Sequence, residues 1–136
     1  MQLKLGIILK PNLYLYNVNY SIRKILLTLC IQMDTFEQMY LIEKTDYFDN
    51  WLRRLKDYRA KAKILVKIKM IELGNLGDHK RIDPRISEIR IDYGPGYRLY
   101  FTWRGNNLIL LLVGGDKSSQ IRDIARAKKI LERIKK

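Results

Sequence analysis

The chain has 136 residues and a formal net charge of +13, enough for one ordinary domain and too few for two. A single cysteine, Cys30, and a single histidine, His79, exclude a disulfide framework, a cysteine-based zinc site and a multi-histidine metal centre; a Ser-His-Asp hydrolase would have only His79 to build on. The charge favours a polyanionic partner, either nucleic acid or an acidic protein segment, and no uncharged apolar run reaches the length of a membrane-spanning helix.

Residues 1–38 mix Asn, Tyr, Leu and Ile without a sustained period, and hold Lys4, Lys10, Arg23 and Lys24 against Asp34 and Glu37. Residues 39–136 carry 23 basic against 12 acidic groups, so the charge belongs to the second part. The expectation is an atypical N-terminal extension, 1–38, ahead of one domain, 39–136. Met33 and Met39 are plausible start codons, which would make the extension an over-extended reading frame or a weakly ordered tail; the alternative is an extra strand and helix (21–33) packed on the domain. Arg23 and Lys24 precede the apolar run Ile25–Ile31 and no small-residue cleavage site follows, so no secretory signal is expected and a reducing cytoplasm fits best.

Met39–Lys44 has the pattern of a first strand. Thr45 or Asp46 is placed to cap a short helix through Trp51 and Leu52, with Asp near its positive end. Asp57 opens a longer helix that stops at Gly74. Ile64, Ile68 and Ile71 form its buried stripe. Arg59, Lys63 and Lys67 form a basic ridge, a solvated face or a phosphate contact. The stretch 75–86 is expected to be a polar loop carrying His79, Lys80, Arg81 and Arg85.

Three strands then follow. Glu88–Tyr93 alternates Ile89, Ile91 and Tyr93 on one face with Glu88, Arg90 and Asp92 on the other. Pro95-Gly96 suits a type II turn. The next strand points Tyr97, Leu99, Phe101 and Trp103 one way, and Arg98, Tyr100, Thr102 and Arg104 the other. Gly105-Asn106 turns into Leu108–Val113, which is apolar at every position and so expected to be central. Ser118 or Ser119 is placed to cap a last helix whose stripe is Ile121, Ile124, Lys128 and Leu131. The predicted order β-α-α-β-β-β-α gives a small α+β domain. It combines an antiparallel sheet (a three-strand meander plus an N-terminal strand) with two N-terminal helices and one C-terminal helix, the helices on one face.

Three blocks in order carry a resemblance: G-N-x-G-D-x-K at Gly74–Lys80, E-I-R-I-D-Y-G-P-G-Y-R-L-Y-F at Glu88–Phe101, and L-L-L-V-G-G-D-K-S-S-Q with D-I-A-R-A from Leu110 to Ala127. Together they resemble the phage-derived addiction module killer protein group. That group lies within the RelE/ParE superfamily of type II toxins, near the HigB toxins. The resemblance spans about Met39 to Ile134. It implies a compact RelE-like toxin, neutralised by a cognate antitoxin that is usually a small helix-turn-helix protein, with no small-molecule cofactor and no membrane partner. RelE- and HigB-like members cleave mRNA on the ribosome, whereas ParE-like members poison DNA gyrase, and the fold does not decide between them. A domesticated, inactive RNA-binding member is the third reading.

Cleaving RNA without a metal requires an aligned 2′-OH, a base to take its proton, cations on the phosphorane and an acid for the leaving oxygen. Arginine suits the phosphorane because its fork binds two oxygens and stays charged. Tyrosine can stack on a base and donate a proton. Arg90, Arg98 and Tyr100 share the polar strand face, and Arg98 and Tyr100 fall in the family's Y-R-x-Y-F block. Arg98 is expected to hold the phosphate, and Tyr100 or Tyr93 to stack or donate. Against this, Arg90 could pair with Glu88 or Asp92 as a surface salt bridge, and Tyr93 could be core. Lys117 follows the glycines at the strand-to-helix junction, where backbone N–H groups can hold a phosphate; the resemblance implies a basic residue there, while Asp116 beside it could cap the helix. Lys80, Arg81, Arg85 and His79 complete the expected RNA contacts, or else form a solvated loop.

Overall fold

A computed structural model describes residues 39–135. The chain divides between Gln38 and Met39, and the second unit is described by itself; the expectations for 1–38 lie outside the described residues. The elements in order are β1 (Leu41–Lys44), α1 (Asp46–Arg54), α2 (Tyr58–Glu72), β2 (His79–Asp83), β3 (Ile86–Ile91), β4 (Tyr97–Arg104), β5 (Leu108–Asp116), a single 3₁₀ turn (Lys117–Ser119) and α3 (Gln120–Ile134).

The helix starts follow from their caps. The Thr45 hydroxyl accepts from Phe48 N at 3.2 Å, and Asp46 and Asp49 occupy the positive end of α1. The Asp57 carboxylate accepts from Arg59 N and Ala60 N at 2.9 and 3.0 Å, which opens α2. Ala60, Ile64, Ile68 and Ile71 then bury one face of that helix, and Gly74, at φ 90°, ends it in a conformation a side chain would resist.

The sheet differs from the expectation in three respects. It has five strands in the order β1-β5-β4-β3-β2, and it is mixed: β1 runs parallel to β5, while the other pairs are antiparallel. The extra strand, β2, lies in the stretch expected to be loop. Its residues His79, Lys80 and Arg81 are exposed, and an edge strand dressed in charge carries no apolar alternation to betray it. The helices also cover both faces. Phe48, Leu52, Ile64, Ile68 and Ile71 pack with Ile89, Leu99, Phe101, Ile109 and Leu111 on one side. Ala127, Ile130 and Leu131 pack with Ile86, Tyr100, Leu110, Leu112 and Val113 on the other. The apolar run Leu108–Val113 of β5 lies inside the sheet, between β1 and β4, and is buried on both faces from Ile109 onward, as its composition requires.

Two local shifts complete the frame. The turn before β4 closes from Gly96 N to Tyr93 O at 3.0 Å, which makes Gly94 and Pro95 its central pair, one residue earlier than expected, with Gly94 at φ 55°. On β5, Tyr100 faces Val113 and Phe101 faces Leu111, so Leu112 is an extra residue that places both Leu112 and Val113 on the α3 side. Beyond this bulge the two glycines serve opposite faces. A side chain at Gly114 would overlap the Trp51 ring, and one at Gly115 would overlap Asp123 and Ser119.

Gly115 also explains the orientation of α3. The buried residues are Asp123, Ala127, Ile130 and Leu131, whereas Ile121 is 86% exposed. Asp123, accepting from the Ser119 hydroxyl, sits where Gly115 leaves room. The expected stripe through Ile121 and Lys128 is therefore rotated, and Lys128 reaches out to Asp83 at 3.5 Å.

Gly114→Ala drives a methyl group into Trp51 and is expected to cost about 1–3 kcal/mol, read by urea unfolding. The cost should shrink in a Trp51→Leu background; an undiminished cost would place the constraint elsewhere.

Candidate functional site

Strand register assembles the polar face under α3. Arg90 lies directly opposite Arg98, and Glu88 directly opposite Tyr100. Lys80 is Glu88's neighbour on β2, and Gly115 is Arg98's neighbour on β5. Paired residues share a face, with Cβ atoms about 4.5–5.5 Å apart. Two arginines placed in this way repel each other unless a counter-charge lies between them.

Glu88 is that counter-charge. It has no solvent exposure. Its Oε1 accepts from Arg90 Nε at 2.9 Å and from Arg98 Nη1 at 2.6 Å, and its Oε2 accepts from Gln120 Nε2 at 3.0 Å. A buried carboxylate is tolerated only when paired and hydrogen-bonded. Here two strands and the first residue of α3 supply the partners. The Glu88–Arg90 pairing weighed from sequence is present, but it is anchored in the interior and shared with Arg98. The Arg90 side chain remains 40% exposed and that of Arg98 14%. The hydrogen bond to Glu88 makes Arg90 hold its proton more firmly still. The pair thus presents fixed guanidinium groups at the rim of a closed interior.

Tyr100 lies on the same face but beneath it. Its ring is fully buried, and among the described residues neither its hydroxyl nor the buried Nε of Arg98 has a hydrogen-bond partner of normal geometry. A phenol in this position supports the layer under the arginines and has no surface on which a base could stack.

Lys117 stands at the end of β5. Its N–H donates to Gly96 O at 2.8 Å, tying the strand-to-helix junction to the Gly-Pro-Gly turn, and its exposed ammonium makes no ion pair among the described residues. Asp116 takes the capping role: its side chain accepts from Ser118 N at 2.8 Å and also from the Ser118 hydroxyl. The hydroxyl bond, with backbone N–H groups adding, holds the Asp116 carboxyl below the ordinary value. Ser119 precedes α3 but makes no capping bond; its hydroxyl serves Asp123 and the Asp116 carbonyl.

Of the residues singled out from sequence, the fold brings Lys80, Arg90, Arg98 and Tyr100 to one face, with Lys117 at its end. Four others lie elsewhere. His79, register partner of Ile89, belongs to the α2 side, and its Nδ1 is 2.9 Å from Gly77 O. Arg81 is turned back on the Asp83 and Pro84 carbonyls at 3.3 and 2.9 Å. Arg85 is exposed in the β2–β3 turn. Tyr93 packs partly buried against the α2-side core, with the Lys63 ammonium 5.0 Å from its ring centre. Sequence reasoning missed the central part played by Glu88, and missed Gln120 altogether. The available signal was an acid two residues before Arg90, on the cationic side of the strand.

Among the described residues, no three His, Cys, Asp or Glu side chains gather closely enough to hold a metal ion, and no helix is long and apolar enough to cross a membrane.

No established family model matches the chain. It is 47% identical over 93 residues to an uncharacterized protein of Haemophilus influenzae, a match that covers 68% of this chain and 94% of that protein. The chain belongs to the same family as the Haemophilus protein.

Burial holds the Tyr100 phenol above the ordinary tyrosine value, and the Glu88 charge adds to the effect. Below about pH 10 the folded and unfolded chains both keep that proton; above it only the unfolded chain ionises, so stability falls as pH rises. Tyr100→Phe should therefore lose less stability than the wild type between about pH 9.5 and 11, measured by urea unfolding at each pH. Parallel losses would contradict the burial.

Proposed function

We propose that this protein is the toxin of a type II toxin–antitoxin system, with a RelE-like fold, and that it cleaves mRNA on the ribosome in the cytoplasm. The observation that carries this reading is the opposed Arg90–Arg98 pair, held by buried Glu88, with Lys117 at the adjacent strand end. Strand-linked guanidinium groups at this spacing suit two oxygens of one phosphate, or adjacent phosphates of one strand. The order β-α-α-β-β-β-β-α and the three sequence blocks support the same reading.

In the reaction, the 2′-hydroxyl of one nucleotide gives up its proton to water as its oxygen bonds to the neighbouring phosphorus, and the bond from phosphorus to the 5′-oxygen breaks as that oxygen takes a proton from water. The products are a 2′,3′-cyclic phosphate and a 5′-hydroxyl. Arg98 and Arg90 stabilise the charge that builds on the phosphorane, and being preorganised by Glu88 they need no reorganisation as it forms. Lys117 adds charge where the strand meets α3, and Lys80 extends the cationic row along the RNA. A cognate helix-turn-helix antitoxin is the expected partner. One observation favours an RNA-binding member without chemistry: the Tyr100 hydroxyl is enclosed, and among the described residues no exposed tyrosine stands beside the arginines to donate the last proton.

The test is induced expression of the full chain, with mapping of mRNA 5′ ends. Wild type is expected to arrest growth and leave cuts within translated messages. Arg98→Ala and Lys117→Ala should each reduce cutting, about 10²–10³-fold for the arginine. Arrest with intact messages and cleaved DNA would move the reading to gyrase. Harmless expression of a chain that still binds RNA would favour the inactive member.

A further inference from the structure

The helix α2 is apolar on two sides, and the fold uses one of them. Ala60, Ile64, Ile68 and Ile71 are buried. On the opposite side Val66 is 62% exposed, Met70 41%, Leu65 48% and Leu73 50%. Ala62, Val66 and Met70 fall at i, i+4 and i+8, forming one ridge about 12 Å long. Exposed apolar residues are ordinary when scattered. Here they form a line, and the line borders a groove of about 520 Å³ between α2 and the end of β3, floored by Ala62, Lys63, Val66, Lys67, Met70 and Arg90.

The charge around that line is one-sided. Helix α2 holds Arg59, Lys61, Lys63, Lys67 and Lys69 against Glu72, and Glu72 is taken by Lys69 at 2.8 Å. Lys63 and Lys67 line the groove from the helix, with Asp92 the only acid there among the described residues. We propose that this face docks an acidic amphipathic helix of a partner protein, its apolar stripe on Val66 and Met70 and its carboxylates on Lys63 and Lys67. The same observations disfavour the other occupants. A second copy would bring the lysines of two α2 helices together, and a nucleic acid gains little from an aliphatic ridge. The docking itself does not depend on which reaction the candidate site performs.

The probe is a labelled peptide of about 18 residues, with leucines at helical i, i+4 spacing and glutamates on both flanks. It is titrated against the full chain by fluorescence anisotropy, alongside a lysine-flanked version and a scrambled one. The glutamate-flanked peptide should bind, weaken with added salt, and lose at least about tenfold in affinity in Val66→Asp/Met70→Asp. Both of those positions are exposed, so the fold should be intact by circular dichroism. Lys63→Glu/Lys67→Glu should reverse the preference toward the lysine-flanked peptide. Equal binding of all three peptides, or no binding, overturns the proposal. So does sedimentation showing a wild-type dimer that the apolar double variant abolishes, which would assign the face to a second copy. Loss in that variant of binding to an RNA oligonucleotide, with peptide binding unchanged, overturns it in favour of nucleic acid.

Discussion

The carboxylate of Glu88 lies where β3, β4 and α3 meet, and its burial constrains everything around it. A charge removed from water costs several kcal/mol unless its partners are in place. Here the partners come from three elements: Arg90 on its own strand, Arg98 across the ladder, and Gln120 at the start of α3. The arrangement holds only if β3 and β4 are in this register and α3 docks with this face inward. In return, the carboxylate allows two arginines to sit directly opposite each other on a sheet, a juxtaposition that like charges otherwise resist.

The remaining packing holds that junction steady from both sides. Gly114 lets the Trp51 ring approach β5 on the α1 face, while Gly115 admits Asp123 and Ser119 on the α3 face. The adjacent glycines thus fix how closely helices lie on opposite sides of the same strand. The Leu112 bulge turns Val113 toward Tyr100, and the buried phenol fills the layer beneath the arginines. The Lys117 backbone bonds to Gly96, which ties the strand end that carries this cation to the turn that begins β4.

Much of this frame was legible in the sequence because its causes are local. Asp57 with the Ile64, Ile68 and Ile71 stripe specifies α2; the alternation in Tyr97–Arg104 specifies β4; the unbroken apolar run of β5 specifies a central strand. What was hidden depends on partners distant in the chain. The charged edge strand β2 has no apolar face of its own, and its pairing with β3 alone reveals it. The orientation of α3 is set by the absence of a side chain at Gly115, which makes a buried aspartate acceptable where a periodicity argument prefers Ile121. Glu88 had the look of a solvent-facing acid until Arg98 and Gln120, ten and thirty-two positions away, closed around it. The candidate site was correspondingly half visible. Arg90, Arg98 and Tyr100 could be placed on one face from their alternation, and Lys117 named at the strand end, but not that Tyr100 is enclosed nor which of the loop cations share that face.

The most direct test of the central claim is a double-mutant cycle on folding stability, with Glu88→Ala and Arg98→Ala singly and together. If the buried carboxylate and the guanidinium support each other, Glu88→Ala leaves two opposed arginines without their counter-charge and Arg98→Ala leaves the buried carboxylate with Arg90 as its one cationic partner, so the double variant should lose less than the sum of the two. The expected coupling is about 1.5–3 kcal/mol, at the upper end for residues in one ionic network. Additivity within about 0.5 kcal/mol would mean the two residues act independently and would contradict the account.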